Sequence, residues 1–270
     1  MHSVRSHASD FLRDLGIVEP PLREEDCLDL RRLQIAKESL DEFLRGAGRD
    51  VPLVQGKLDA MLDLQERSIW LRKGLHAHKA KLGKVHEVGH DVLPWQSAVL
   101  HYCSILDLPI AIQREWELEA TAFALECLFL GGRFTAESQD MPFTLRTPLA
   151  LADRYAVSYE SAIRHYVEHT PHTCCLLVSE AVRSDGVFWM PHADTEYEIR
   201  YYVNSSSFSG SVRPRQRFNC AALSRAYGSL SVVTEHDLEV IADDRLLTYH
   251  AESFSNSYRV FTLLSLAPFG

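Results

Sequence analysis

Along the first half of the chain, apolar residues recur at helical spacing in long stretches separated by glycine and proline. From Leu22 to about Arg45, Leu30, Leu33, Leu40, Phe43 and Leu44 predict one amphipathic helix, stopped by Gly46-Ala47-Gly48. A second helical pattern runs through Val54, Leu58, Met61 and Leu62. The short apolar run Ser68-Ile69-Trp70-Leu71 that follows predicts a strand closed by Gly74. Residues 76 to 93 return to helical composition until Pro94 ends the run. A further helix is predicted from about Gln113 to Leu130, with Trp116, Ala120, Phe123, Ala124 and Cys127 as its apolar stripe and Gly131-Gly132 as its stop.

After the proline-marked connection from Met141 to Pro148, residues 149 to 168 read as a short helix, a turn and a second helix that Ser158 can cap, with helix-turn-helix proportions. From Thr173 the texture changes to short β-rich runs, among them Cys174 to Val178, Glu198 to Val203, Leu230 to Val233 and Tyr258 to Leu264. The expected class is therefore α+β, helical first and β-rich last, with a domain boundary near residue 172.

Composition narrows the setting. With 270 residues, 46% of them hydrophobic and 24% charged, the chain can bury two or three cores. Charges interrupt the first fifteen residues, and no segment approaches the roughly 18 apolar residues of a membrane span. A soluble, cytoplasmic protein with no membrane partner is expected. The six cysteines (Cys27, Cys103, Cys127, Cys174, Cys175 and Cys220) show no C-x-x-C spacing, which fits a reducing compartment. A formal charge of −9 argues against direct nucleic-acid binding, which draws on surplus Lys and Arg.

The candidate chemistry lies in His86-Glu87-Val88-Gly89-His90. Two histidines four apart on a helix project from one face toward a single point, the arrangement that a zinc ion accepts from neutral imidazoles. A catalytic zinc keeps one position open for water and needs a third protein ligand from elsewhere. Glu87, next to the first ligand, is placed to act as general base toward that water. The helix over 113–130 offers Glu115, Glu117, Glu119 and Glu126. Glu117 and Glu119 cannot both point inward, and Glu117, with Thr121 one turn away as a partner for a histidine, is the preferred third ligand. Glu119 stands as the alternative.

Other features have plainer readings. Arg213, Arg215 and Arg217 read as a solvated loop, and residues 149 to 168 mix Arg154 and Arg164 with Asp153, Glu160 and Glu168, so they read as structural rather than DNA-facing. His165 and His169, also four apart, lack a glutamate at the general-base position and are expected to be surface or capping residues. Cys174-Cys175 are expected to open a buried strand.

The two motifs together resemble those of the ImmA/IrrE metallopeptidases, which carry an H-E-[apolar]-G-H helix and a downstream E-x-E-A-N-x-F-A helix. Here these read His86-Glu87-Val88-Gly89-His90 and Glu117-Leu118-Glu119-Ala120-Thr121-Ala122-Phe123-Ala124. The resemblance covers roughly residues 68 to 170. It implies a zincin-like peptidase domain with a small edge-strand sheet over 1–145, a helix-turn-helix-like segment over 146–172, and a β-rich, GAF-like domain over 173–270. It further implies zinc held by His86, His90 and Glu117, with Glu87 as base, and site-specific cleavage of a helix-turn-helix transcriptional repressor that releases stress-response or mobile-element genes. A small molecule or partner acting at the last domain is the implied trigger. Thr121 stands where the family has Asn, and Asp91 where it has an apolar residue.

Overall fold

The computed structural model describes residues 2–46, 58–102, 105, 108–182, 195–213, 215–219, 223, 233–243 and 245–266. The fold is α+β. The chain groups into two compact units, one of residues 1–134 with 154–157 and the other of 135–153 with 158–270. Val54, Cys103, His192, Cys220 and the run from Leu230 to Ser231 and Val232 lie outside the described residues.

The first unit begins with α1 (His2–Leu15), whose Val4, Ala8 and Phe11 form a buried stripe at helical spacing within an otherwise charged segment. The single helix expected from Leu22 to Arg45 is instead two. Arg32 takes a left-handed conformation (φ 53°) that caps α2 (Glu24–Arg31), and its amide returns to the carbonyls of Leu28 and Asp29. Gln34–Ile35 (β1) then runs in a sheet before α3 (Leu40–Gly46) starts. A capping box restarts the helix: Glu42 accepts from the Ser39 amide at 2.8 Å, and the Glu42 amide reaches Ser39 Oγ at 3.4 Å.

The helical pattern expected through Met61 and Leu62 is also corrected, because those residues form β2 (Ala60–Asp63). Strand β3 (Ser68–Leu71) is as expected. It lies between β1, to which it is parallel, and β2, to which it is antiparallel, so β2 is an edge strand. What fixes Met61 as strand is packing: with Trp70 it meets Leu40 and Leu44 of α3 in one buried cluster, capped by Phe43 with its ring centroid 4.4 Å from that of Trp70.

The next two helices carry the candidate chemistry. Helix α4 (Ala77–Val92) ends where expected, and Pro94 opens α5 (Pro94–Leu100) at once, where its missing N–H costs nothing. Helix α6 (Ile110–Leu128) ends as Gly131 turns left-handed at φ 64°. Val85 and Val88 of α4 and Ala120, Phe123, Ala124 and Cys127 of α6 are buried where the two helices pack, and Phe11 of α1 reaches Phe123 with 5.5 Å between ring centroids. Gly89 sets the spacing. A Cβ there would lie 3.3 Å from both the Cα and the carbonyl oxygen of Ala120 and 3.1 Å from Phe123.

Asp91 is the residue that a sequence reading leaves unexplained, and the structure accounts for it. Its buried carboxylate receives Arg31 Nε at 2.6 Å and Arg67 Nη1 at 2.6 Å, tying α2 and the start of β3 to α4. Arg67 also donates to the Arg31 carbonyl, closing the triangle. A second polar tie is buried Lys81, whose ammonium donates to the carbonyls of Tyr155 and Ala156.

The second unit takes up α7 (Arg133–Gln139) from its third residue and α8 (Arg146–Tyr155) as far as Asp153, and contains all of α9 (Tyr159–His169). Ser158 caps α9 as expected, accepting from the Ser161 amide at 3.1 Å. Six antiparallel strands follow: β4 (Cys174–Ala181), β5 (Glu196–Asn204), β6 (Arg217–Asn219), β7 (Thr234–Ala242), β8 (Arg245–Ser255) and β9 (Val260–Ser265), in spatial order β6-β5-β4-β9-β8-β7. Central β4 is buried on both faces. Cys175 and Leu177 join Ile199, Leu238, Val240, Tyr249 and Leu264 in one cluster, and alternation puts Leu176 and Val178 on the other face, where α9 contacts β4.

Several minor expectations resolve here. Tyr258 belongs to the turn before β9, where Ser257 has φ 74°, rather than to the strand. His165 is buried rather than superficial, because α9 turns it inward to Thr135 Oγ1 at 3.4 Å, with the His169 ring stacked on it at 4.1 Å. Cys174 and Cys175 open a buried strand as expected, and burial pushes the Cys174 thiol up to about 12, which keeps it unreactive. Arg217 pairs with Glu198 at 3.3 Å. Among the described residues, no helix is long and apolar enough to cross a membrane.

Candidate metal centre

His86 and His90 occupy successive turns of α4, and Glu117 reaches them from the facing turn of α6. His86 Nε2 and His90 Nε2 are 3.2 Å apart, Glu117 Oε2 lies 3.1 Å from His86 Nε2, and Glu117 Oε1 lies 3.7 Å from His90 Nε2. The potential ligand atoms of the three residues all fall within 4.8 Å of one another. Donors held about 2 Å from a tetrahedral ion are separated by roughly 3.3 Å, so this set fits a small divalent ion with little rearrangement. Two imidazoles and a carboxylate are a donor set that zinc accepts.

The electrostatics agree with the geometry. Burial works to raise the Glu117 carboxyl, but hydrogen bonds and charge from His86 and His90 outweigh it and hold the group below the usual carboxylate range. Burial works to lower His90, yet the Glu117 hydrogen bond and the Glu87 and Glu117 charges raise it. Glu117 and His90 thus each favour the charged form of the other.

Glu87, between the histidines in sequence, is 5% exposed. Desolvation raises its carboxyl, opposed by the charges of His90 and His86. The backbone amide of Leu62 donates to it, and among the described residues β2 is an edge strand, so that outward amide faces no further strand. Glu87, His90 and Glu117 line a narrow cleft with Met61 and Leu62 of β2 and with Leu100 and Ile105.

The residues behind the histidines differ from each other. Thr121 Oγ1 lies 3.3 Å from His86 Nδ1, the contact expected one turn from Glu117. His90 Nδ1 lies 2.6 Å from Oε1 of the fully buried Gln96, a residue that sequence reasoning missed. Glu119, the alternative third ligand, is engaged elsewhere: its Oε2 accepts from Trp95 Nε1 at 2.7 Å and from Gln96 Nε2 at 2.7 Å. The sequence signal for Gln96 is faint. Pro94 starts a new helix two residues after α4 ends, which folds the next turn back under His90.

No protein-family model matches the chain, and no curated protein does. Among solved structures, the fold is similar to that of a Mycobacterium tuberculosis transcriptional regulator, with a TM-score of 0.54 and 11% sequence identity, over 98% of this chain and 87% of the other. At that identity the likeness concerns the fold alone.

Proposed function

We propose that this chain is a cytoplasmic zinc-dependent endopeptidase of the ImmA/IrrE kind, acting at a specific site in a protein substrate of the helix-turn-helix repressor class. The observation that carries the reading is the convergence of His86, His90 and Glu117 on one point with the buried Glu87 beside it. His86, His90 and Glu117 would hold zinc, which when bound lowers the pKa of a coordinated water and polarises a carbonyl. Glu87 takes the proton of the attacking water and returns it to the departing amide nitrogen. Thr121 and Gln96 hold the two imidazoles in place from behind, and the walls formed by Met61, Leu62, Leu100 and Ile105 limit solvent around Glu87. The repressor substrate rests on the resemblance of the paired motifs, and a trigger at the β-rich unit rests on it too.

A second reading comes from a different class, and the protein whose fold is similar is named a transcriptional regulator. In it, the chain is a regulatory binding protein whose zinc has a structural role. Elemental analysis together with co-expression alongside candidate repressors separates the two. The peptidase reading expects about one zinc per chain, loss of zinc in Glu117→Ala, and a cleaved repressor. Zinc without any Glu87-dependent product supports the regulator, and a wild-type chain that takes up no zinc overturns the metal centre itself.

A further inference from the structure

Gln96 lies in the wall behind His90, and its amide orientation follows from its neighbours alone. One end of the amide faces the Glu119 carboxylate at 2.7 Å and the Trp116 carbonyl at 3.4 Å. Both of those groups only accept, so that end is the NH2. The other end is therefore the oxygen, and it lies 2.6 Å from His90 Nδ1. An amide oxygen only accepts, so the neutral His90 ring must carry its proton on Nδ1 and present a lone pair at Nε2, the nitrogen that faces His86 and Glu117.

We infer that Glu119 is a positioning residue that fixes the tautomer of His90 through Gln96. Trp95 holds Glu119 in turn, donating to the same carboxylate oxygen that takes the Gln96 amide. Gln96 is fully buried, so without Glu119 its NH2 loses the nearer and better of its two acceptors, and the amide is free to turn. A turned amide would present N–H to Nδ1 and move the ring proton to Nε2, where it blocks ligation. His86 has no such lock. Its Nδ1 meets the hydroxyl of Thr121, which donates or accepts equally well. The tautomer claim concerns the metal-free chain, whereas its consequence for zinc rests on the metal-centre reading above.

Nitrogen-15 NMR of the metal-free protein tests the claim, at alkaline pH where the His90 ring is neutral. Wild type is expected to show His90 protonated at Nδ1 alone. Glu119→Gln is expected to keep that signature, because its amide oxygen can occupy the Oε2 position and accept from both Trp95 and Gln96. Glu119→Ala, with circular dichroism and melting to confirm folding, is expected to show mixed tautomers and to bind zinc roughly 10- to 100-fold more weakly in a chelator competition. Gln96→Leu is expected to match Glu119→Ala if that variant does not fold. An Nε2-protonated His90 in wild type overturns the proposal, as does a Glu119→Ala protein with wild-type tautomer and zinc affinity. If wild type binds no zinc but shows the Nδ1 proton, the metal-centre reading fails and the lock stands.

Discussion

Replacing Asp91 by alanine should unfold the first unit far more easily than the loss of one exposed carboxylate would. The side chain is 4% exposed and receives Arg31 Nε and Arg67 Nη1, each at 2.6 Å, so two guanidinium groups would lose their common partner. Breaking a buried ion pair from one side commonly costs about 3–5 kcal/mol. Here Arg31 and Arg67 keep 37% and 34% of their side-chain exposure and can recover some hydration, which puts the expected loss near the lower end, about 3 kcal/mol. For a unit of this size that corresponds to a melting temperature lowered by roughly 10 °C. Urea unfolding followed by tryptophan fluorescence, with Trp70, Trp95 and Trp116 as reporters in this unit, gives the number. Asp91→Asn, which keeps the shape and one acceptor, should lose less. A loss below about 1 kcal/mol for Asp91→Ala would place the triangle with ordinary surface pairs and refute its role in anchoring α4.

Two further perturbations probe the packing and the second unit. Gly89→Ala should cost about 1–3 kcal/mol in denaturant unfolding, since its methyl group would press on the Ala120 backbone and Phe123; unchanged stability would show that α4 and α6 separate easily. Glu252 is buried in β8 and accepts from Thr144 Oγ1 at 2.8 Å, while desolvation raises its carboxyl above the ordinary value. A carboxyl raised in the folded state favours folding most when protonated. That contribution is present below the unfolded pKa and is lost as pH rises through the folded one. Urea midpoints of the wild type over that window should therefore fall with pH relative to Glu252→Gln, and parallel profiles would contradict the assignment.

The parts of the fold that were legible in the sequence are those set by local signals. Pro94 and Gly131 bound α4 and α6 because each acts through its own backbone, and the four-residue spacing of His86 and His90 places both on one face whatever surrounds the helix. Where the outcome depends on distant contacts, the pattern misleads. Arg32 is not a residue that announces a left-handed cap, so α2 and α3 merge when read by periodicity, although Ser39 and Glu42 carry a capping box that marks the restart. Met61 and Leu62 suit helix or strand equally until Trp70 and Leu44 decide between them. The same holds at the candidate site. Glu117 is accessible to reasoning because its helix partners are one turn away, whereas the link from Glu119 to Gln96 and on to His90 joins residues 23 and 6 positions apart that no periodicity connects. Asp91 looks out of place for a related reason, since its partners lie 60 and 24 residues away.

The central claim is that Glu87 moves the proton in a zinc-dependent cleavage. Its most direct measurement compares newly formed protein N-termini in cells producing the wild-type chain with those in cells producing zinc-loaded Glu87→Gln. Removing a general base lowers rates by about 10² to 10⁴-fold, so the account predicts a discrete new terminus, in a helix-turn-helix repressor, that appears with the wild type and is lost with the variant. The same terminus formed equally by zinc-loaded Glu87→Gln, or no wild-type-dependent terminus at all, would contradict it.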